Sequence, residues 1–222
     1  MVQVHSVSTT KSPSGRATSV SNVVRRIRNR TRRRLTRWLP FSNSVRIKNF
    51  RGTLWDRLDG LEYLLDRCRD CSVLDVASCE GLISYEFVRC GASLVHGLEK
   101  DRDGIMFSRR LFRDVPVASR FEVSNLAVPR SQFQQMYGDI LLPKYDIVLF
   151  LGIFHHLKKQ MAAEDLTDMV EEFLERTAGC FAVRSNYCSE IEPLILSRGF
   201  RVASSPARRR IGQLRIYARS ES

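Results

Sequence analysis

No stretch of this 222-residue chain is long and apolar enough to cross a bilayer, since the longest hydrophobic run is the eight residues from Ile147 to Phe154, against the roughly 20 a spanning helix needs. No apolar h-region follows Met1, so a secretory signal is not expected. Acidic residues are missing from one part of the chain altogether. Residues 1 to 50 hold 12 Lys and Arg and not one Asp or Glu, which leaves 24 of each sign in residues 51 to 222. The net charge of +12 therefore belongs to the first fifty residues, and the remainder is neutral.

The six cysteines, at 68, 71, 79, 90, 180 and 188, show no framework spacing. A chain of this length has enough apolar material for one core without covalent staples, so reduced thiols are expected. Cys68 and Cys71 form a C-x-x-C, but only Cys180 and Cys188 offer a loose second pair, and no metal site is expected.

Residues 1 to 20 are rich in Ser, Thr and Val and read as disordered. Val24, Ile27, Thr31, Leu35 and Trp38 then recur at helical spacing, and eight Arg between 25 and 37 fill the other arc. This predicts a short basic amphipathic helix ending before Pro40, within an arm covering residues 1–50. Such an arm suits RNA phosphates, an anionic membrane surface or a mitochondrial address. The expected location is cytoplasmic, with mitochondrial or membrane-peripheral placement as alternatives. The sequence leaves the oligomeric state open.

From residue 51 to 222 strand-like and helix-like segments alternate. Helices are predicted at 55–68, 82–90, 103–112, 132–137, 162–176 and 190–197. Strands are predicted at 72–77, 93–98, 120–124, 145–151, 180–184, 200–203 and 213–218. Repeated strand and helix imply an α/β domain with a parallel sheet covered on both faces. The last two strands lie too close for an intervening helix, so an antiparallel hairpin is expected at one edge.

Ligands of such sheets bind beyond the carboxyl ends of the strands, beside the first strand. The loop there runs Asp75-Val-Ala-Ser-Cys-Glu-Gly81, and Glu99 ends the next strand, at a distance suited to gripping ribose hydroxyls. A dinucleotide fits poorly. G-x-G-x-x-G is absent, and Glu80 would set a negative charge where a pyrophosphate must rest. A phosphate-free cofactor carrying a sulfonium and an ammonium suits these carboxylates, which points to S-adenosylmethionine.

The run VLDVASCEGLISYEFVRCGASLVHGLEK, from Val73 to Lys100, resembles the first two motifs of class I SAM-dependent methyltransferases, and YDIVLFLGIFHHL, from Tyr145 to Leu157, resembles their fourth-strand motif. The element order from about 53 to 219 is similar to that family's Rossmann-like, doubly wound seven-stranded sheet. Asp75-x-Ala-Ser-x-x-Gly81 also resembles the branch typified by tRNA wobble-uridine methyltransferases. The resemblance implies that Asp75, Ala77, Ser78 and Gly81 wrap the methionine part of the cofactor and that Glu99 binds its ribose. Asn125 stands where the family contacts the adenine edge, and Gly152 to His155 would close the pocket on the methyl side. His155 and His156 are the candidate proton acceptors. Two departures stand out, since Ala77 and Cys79 occupy positions where the family usually carries glycine.

The Asn-Pro-Pro-Tyr and Pro-Cys signatures of base methylation are absent. The sequence thus predicts a methyltransferase of unidentified small-molecule or RNA acceptor. The rival is an inactive domain of the same fold that binds RNA or membrane through its arm.

Overall fold

The computed structural model describes residues 54–206 and 212–220. The arm of residues 1–50, with the amphipathic helix expected in it and the Arg-rich stretch 25–37, lies outside the described residues.

Two short helices, α1 (Leu54–Leu58) and α2 (Glu62–Leu65), come first. They replace the single helix expected over 55–68, because Gly60 at φ +86 takes the backbone out of the helical region between them. There follow β1 (Ser72–Val76), α3 (Leu82–Arg89), β2 (Leu94–Glu99), α4 (Arg102–Leu111), β3 (Ala118–Val123), α5 (Arg130–Tyr137) and β4 (Tyr145–Leu151). The chain continues through α6 (Phe154–Leu157), α7 (Ala163–Glu175), β5 (Thr177–Ser185), α8 (Cys188–Ser197), β6 (Phe200–Ser204) and β7 (Gln213–Arg219). All seven expected strands are present. The four-residue α6 was not expected.

The strands form one sheet in the order β3-β2-β1-β4-β5-β7-β6, parallel except for β7, which is antiparallel to both β5 and β6. The hairpin is as expected, but β7 lies inside the sheet and β6 takes the edge.

Strand alternation divides the core into two layers. Leu74, Val76, Val148, Phe150, Phe181 and Val183 face α5, α7 and α8. Val73, Ile147, Leu149, Ala182 and Ile216 face the other side, with α1 to α4. Helix α7 shows why the segments choose their faces: Leu166, Met169, Val170, Phe173 and Leu174 fall at helical spacing and are buried together. Truncating a residue such as Phe173 to Ala would cost about 3–5 kcal/mol.

A buried charge cluster ties α5 to α7. Glu172, 2% exposed, accepts hydrogen bonds from Arg130 Nε at 2.9 Å, Gln134 Nε2 at 2.6 Å and Arg176 Nε at 2.7 Å. Burial alone would push its carboxyl up, but the bonds from Gln134 and Arg176 outweigh burial and hold it below its ordinary value.

Candidate active site

Strand β1 ends in a turn that brings the chain back over the sheet into α3. Alternate residues of this turn, Ala77, Cys79 and Gly81, have φ of +62, +51 and +70. An L-residue with a Cβ is strained in that region by roughly 1–2 kcal/mol, so the two positions lacking the family's glycines keep the glycine conformation at a cost. Neighbouring contacts impose it. Ser78 N–H donates to Leu98 O at 2.9 Å, Gly81 N–H to Ser78 O at 2.9 Å, and Cys79 N–H to Glu99 Oε2 at 2.9 Å.

Glu99, at the end of β2, also accepts from Asp101 N–H at 3.0 Å through Oε1. Each of its carboxylate oxygens keeps a second lone pair, and the side chain borders the cleft above the sheet. Beneath the cleft lies Asp75. Burial raises its carboxyl to about 6, although the Ser84 hydroxyl at 2.6 Å and the charge of Arg57 pull it down. The Cys79 thiol is pushed up to about 12, chiefly by burial, and stays protonated at neutral pH.

The cleft encloses about 540 Å³, within the usual range for small-molecule sites. Asp75, Ala77 and Cys79 of the turn, Glu99, and Ser124 and Asn125 after β3 line one side. Gly152, Ile153, His155, His156 and Gln160 line the side beyond β4, and Arg57 and Arg184 border it as well. Asn125 turns Oδ1 to the N–H of Ala127 at 3.1 Å, leaving its amide N–H groups for an acceptor. The hydroxyl of Ser124 is buried in a residue 1% exposed and meets no hydrogen-bond partner among the described residues.

Two sequence-predicted residues stand apart from the lining. Ser78 turns its buried Oγ toward β2, where a Cβ on Gly97 would come within 2.9 Å of it. Gly81 opens α3, and a Cβ there would lie 2.8 Å from Ser108 Oγ, so its role is to let α3 pack on α4. Both shape the turn from below, while Asp75, Ala77, Glu99, Asn125, Gly152, His155 and His156 all border the cleft.

His155 and His156 stack with ring centroids 3.9 Å apart, on α6. Burial pushes both imidazoles down, reinforced at His155 by its neighbour His156 and at His156 by Lys100. Both are neutral at pH 7 and can accept a proton.

Sequence reasoning missed the two arginines. Arg57 Nη1 lies 3.5 Å from Glu80 Oε2, and Arg184 Nη1 and Nη2 donate to the carbonyls of Arg57 at 2.5 Å and Asp59 at 2.8 Å. An arginine closing the otherwise apolar run Phe181-Ala182-Val183 at the carboxyl end of a buried strand was the available signal for Arg184.

No family model and no curated protein matches the chain. Its fold is similar to several solved structures. Magnesium protoporphyrin IX methyltransferase from Synechocystis PCC 6803, crystallised with bound SAM, is 16% identical, with 93% of this chain and 100% of that one covered and a TM-score of 0.59. Ribosomal protein L11 methylase from Lactobacillus delbrueckii subsp. bulgaricus is 13% identical over 78% of this chain and 81% of that one, with a TM-score of 0.55. The bifunctional kinase-methyltransferase WbdD is 17% identical, with 85% of this chain matching 45% of the larger one at a TM-score of 0.56. These likenesses establish the methyltransferase-type fold.

Proposed function

We propose that the cleft binds S-adenosylmethionine and serves transfer of its methyl group to a nucleophilic acceptor. One observation carries the reading: Asp75, Glu99 and Asn125, from the ends of three neighbouring strands, converge on one cleft.

The donor set fits this cofactor. Glu99 has lone pairs for two ribose hydroxyls, and Asn125 has amide hydrogens for an adenine nitrogen. The orphaned Ser124 hydroxyl lies beside them. Asp75 and Arg57 offer opposite charges to the ammonium and carboxylate of an amino-acid group. The turn suits a dinucleotide badly, because Glu99 already takes the Cys79 N–H that could have faced a phosphate and Glu80 adds negative charge.

When bound, S-adenosylmethionine supplies an electrophilic methyl group on a sulfonium centre. The chain's own residues bind and orient. Ile153 and Leu157 help exclude water, and a neutral imidazole of His155 or His156 accepts a proton at a ring nitrogen where the acceptor must lose one. The narrower likeness to the wobble-uridine branch rests on the Asp75 to Gly81 pattern, and supports an RNA or small-molecule acceptor. The eight arginines of 25–37 support contact with RNA or an anionic membrane.

Calorimetric titration tests the reading. S-adenosylmethionine and S-adenosylhomocysteine should bind with micromolar Kd, about 8 kcal/mol, and NAD should not. Absence of heat from both adenosyl ligands at millimolar concentration would refute it.

A further inference from the structure

Strand β5 runs Phe181-Ala182-Val183-Arg184, and alternation puts Arg184 on the face of Ala182, Leu149 and Ile147 rather than that of Phe181 and Val183. The guanidinium is thereby carried under α1. Arg184 is only 5% exposed, and its hydrogen bonds run to two backbone carbonyls, those of Arg57 and Asp59. No carboxylate comes within 4 Å of it among the described residues. Burial lowers it to about 10, with Asp59 pulling up and Arg57 pushing further down. Its hydrogen bonds all go to carbonyl dipoles, and the charges of Asp59 and Glu62 do not offset its burial. A buried cation so placed is costly, and a bound anion relieves that cost.

Capping the end of α1 accounts for part of this arrangement, but only for two of the five guanidinium N–H groups. The other hydrogens belong to a side chain that borders the cleft. Its strand position separates its backbone from those of Asp75, Glu99 and Asn125. Asp75 pairs with Leu149 and Leu149 with Ala182, so Arg184 lies two strands across from Asp75 and one alternate position nearer the carboxyl ends. That is roughly 10 Å across the sheet. Across the cleft the order is Asn125, Glu99, Asp75, then Gly152 to His156, then Arg184.

Resting on the cofactor reading, we propose that Arg184 receives the anionic group, a carboxylate or a phosphate, of a small methyl acceptor. Its planar fork matches either oxyanion with two parallel hydrogen bonds. The nucleophile of an acceptor so held falls between Asp75 and Arg184, beside His155. RNA backbone phosphates do not reach a guanidinium this deeply covered, so the anion enters the cleft as part of a small molecule. Arg57, beside Asp75 and Glu80, is the cation on the cofactor side.

The experiment uses the full chain saturated with S-adenosylhomocysteine. Its thermal midpoint is followed while sodium benzoate, sodium succinate or inorganic phosphate replaces sodium chloride at constant ionic strength. A saturable rise is expected with at least one anion, at least tenfold weaker in Arg184→Gln and only partly recovered in Arg184→Lys, which keeps the charge but not the fork. Preference for benzoate or succinate assigns a carboxylate, and preference for phosphate a phosphate. No saturable rise with any anion in the unmodified chain overturns the proposal, and so does an equal rise in Arg184→Gln, which would be the nonspecific stabilisation that excluded salts give. A tenfold loss of S-adenosylhomocysteine affinity in Arg184→Gln also overturns it, by assigning the guanidinium to the cofactor's own carboxylate. If Arg184→Gln does not fold, the unmodified chain and Arg184→Lys still decide. Repeating the anion titration without S-adenosylhomocysteine reads the subsite alone, so failure of cofactor binding and failure of this proposal are told apart.

Discussion

Ser84 Oγ on α3 donates a 2.6 Å hydrogen bond to Asp75 Oδ2, and both side chains are buried under the cleft. One hydroxyl and the nearby charge of Arg57 do not offset the loss of water around the carboxylate. Asp75 therefore ionises only as pH rises through about 6, and a cation bound beside it favours the charged form. It is a buried acid facing a cleft, an arrangement that couples proton loss to ligand binding.

The first prediction is that this coupling shows as pH dependence. With its folded pKa raised to about 6, Asp75 contributes stability that is fully present below its unfolded value, near 3.9, and lost as pH rises through about 6. Asp75→Asn should remove that component, so the difference in urea midpoint between variant and parent changes across pH 4 to 7. The parent's affinity for S-adenosylmethionine should rise over the same interval, and the variant's should stay flat. A flat parent profile would count against the ammonium contact.

The left-handed turn gives a second expectation. Ala77→Gly should stabilise the chain by up to about 1 kcal/mol, the relief of strain less the added freedom of the unfolded state. Gly81→Ala should cost about 2–3 kcal/mol, because φ is +70 and the new Cβ meets Ser108 Oγ at 2.8 Å. Chemical denaturation of the two variants would settle both signs.

Glu99→Ala removes the acceptor for Cys79 N–H and Asp101 N–H together with the proposed ribose contact. Affinity for S-adenosylhomocysteine should fall by roughly 1.5–3 kcal/mol per charge-assisted bond lost. Calorimetry on the folded variant measures it, and unchanged affinity would place the cofactor elsewhere.

Glu172→Ala leaves Arg130 and Arg176 without their shared carboxylate, and the chain should lose about 3–5 kcal/mol of stability. The folded pKa of Glu172 is lowered, so its contribution is present above the unfolded value and lost as pH falls through the folded one. Cofactor affinity of the folded variant should stay within about 0.5 kcal/mol of the parent, since distant sites act independently.

Deleting residues 1–50 removes 12 positive charges and no negative ones. If the arm captures an anionic partner, the deletion should abolish binding to RNA or to anionic vesicles, while S-adenosylmethionine binding stays within about 1 kcal/mol. For the full chain, raising salt from about 50 to 200 mM should weaken RNA binding more steeply than a single-charge contact allows. A truncated chain that still binds both would move recognition to the neutral remainder.

How much of this was legible beforehand depended on whether the signal was local. Tyr145–Leu151 was placed to the residue, because an apolar run of strand length between Pro143 and Gly152 is too short for a buried helix. Helix α6 carries both histidines but is four residues long, too short to show a period. The split between α1 and α2 turned on a single glycine. The turn from Asp75 to Gly81 announced a ligand loop, yet which of its side chains face the cleft follows from the alternating left-handed backbone, so Ser78 and Gly81 went to the underside. The bond from Arg184 to the carbonyl of Arg57 joins residues 127 apart in the chain. Only the assembled sheet brings those two together.

Among the described residues strand β6 pairs only with β7, and β7 is made after it. During translation, helix α8 and β6 therefore emerge with no ladder to join, and the sheet ends at β5 with an open edge. Some 34 residues separate the end of β5 at Ser185 from the end of β7 at Arg219, roughly two to seven seconds of synthesis at about 5–20 residues per second. For that interval the nascent chain displays the unpaired edge of β5, the surface on which a chaperone or a second nascent chain could act. Premature termination anywhere within β7 would make that interval permanent.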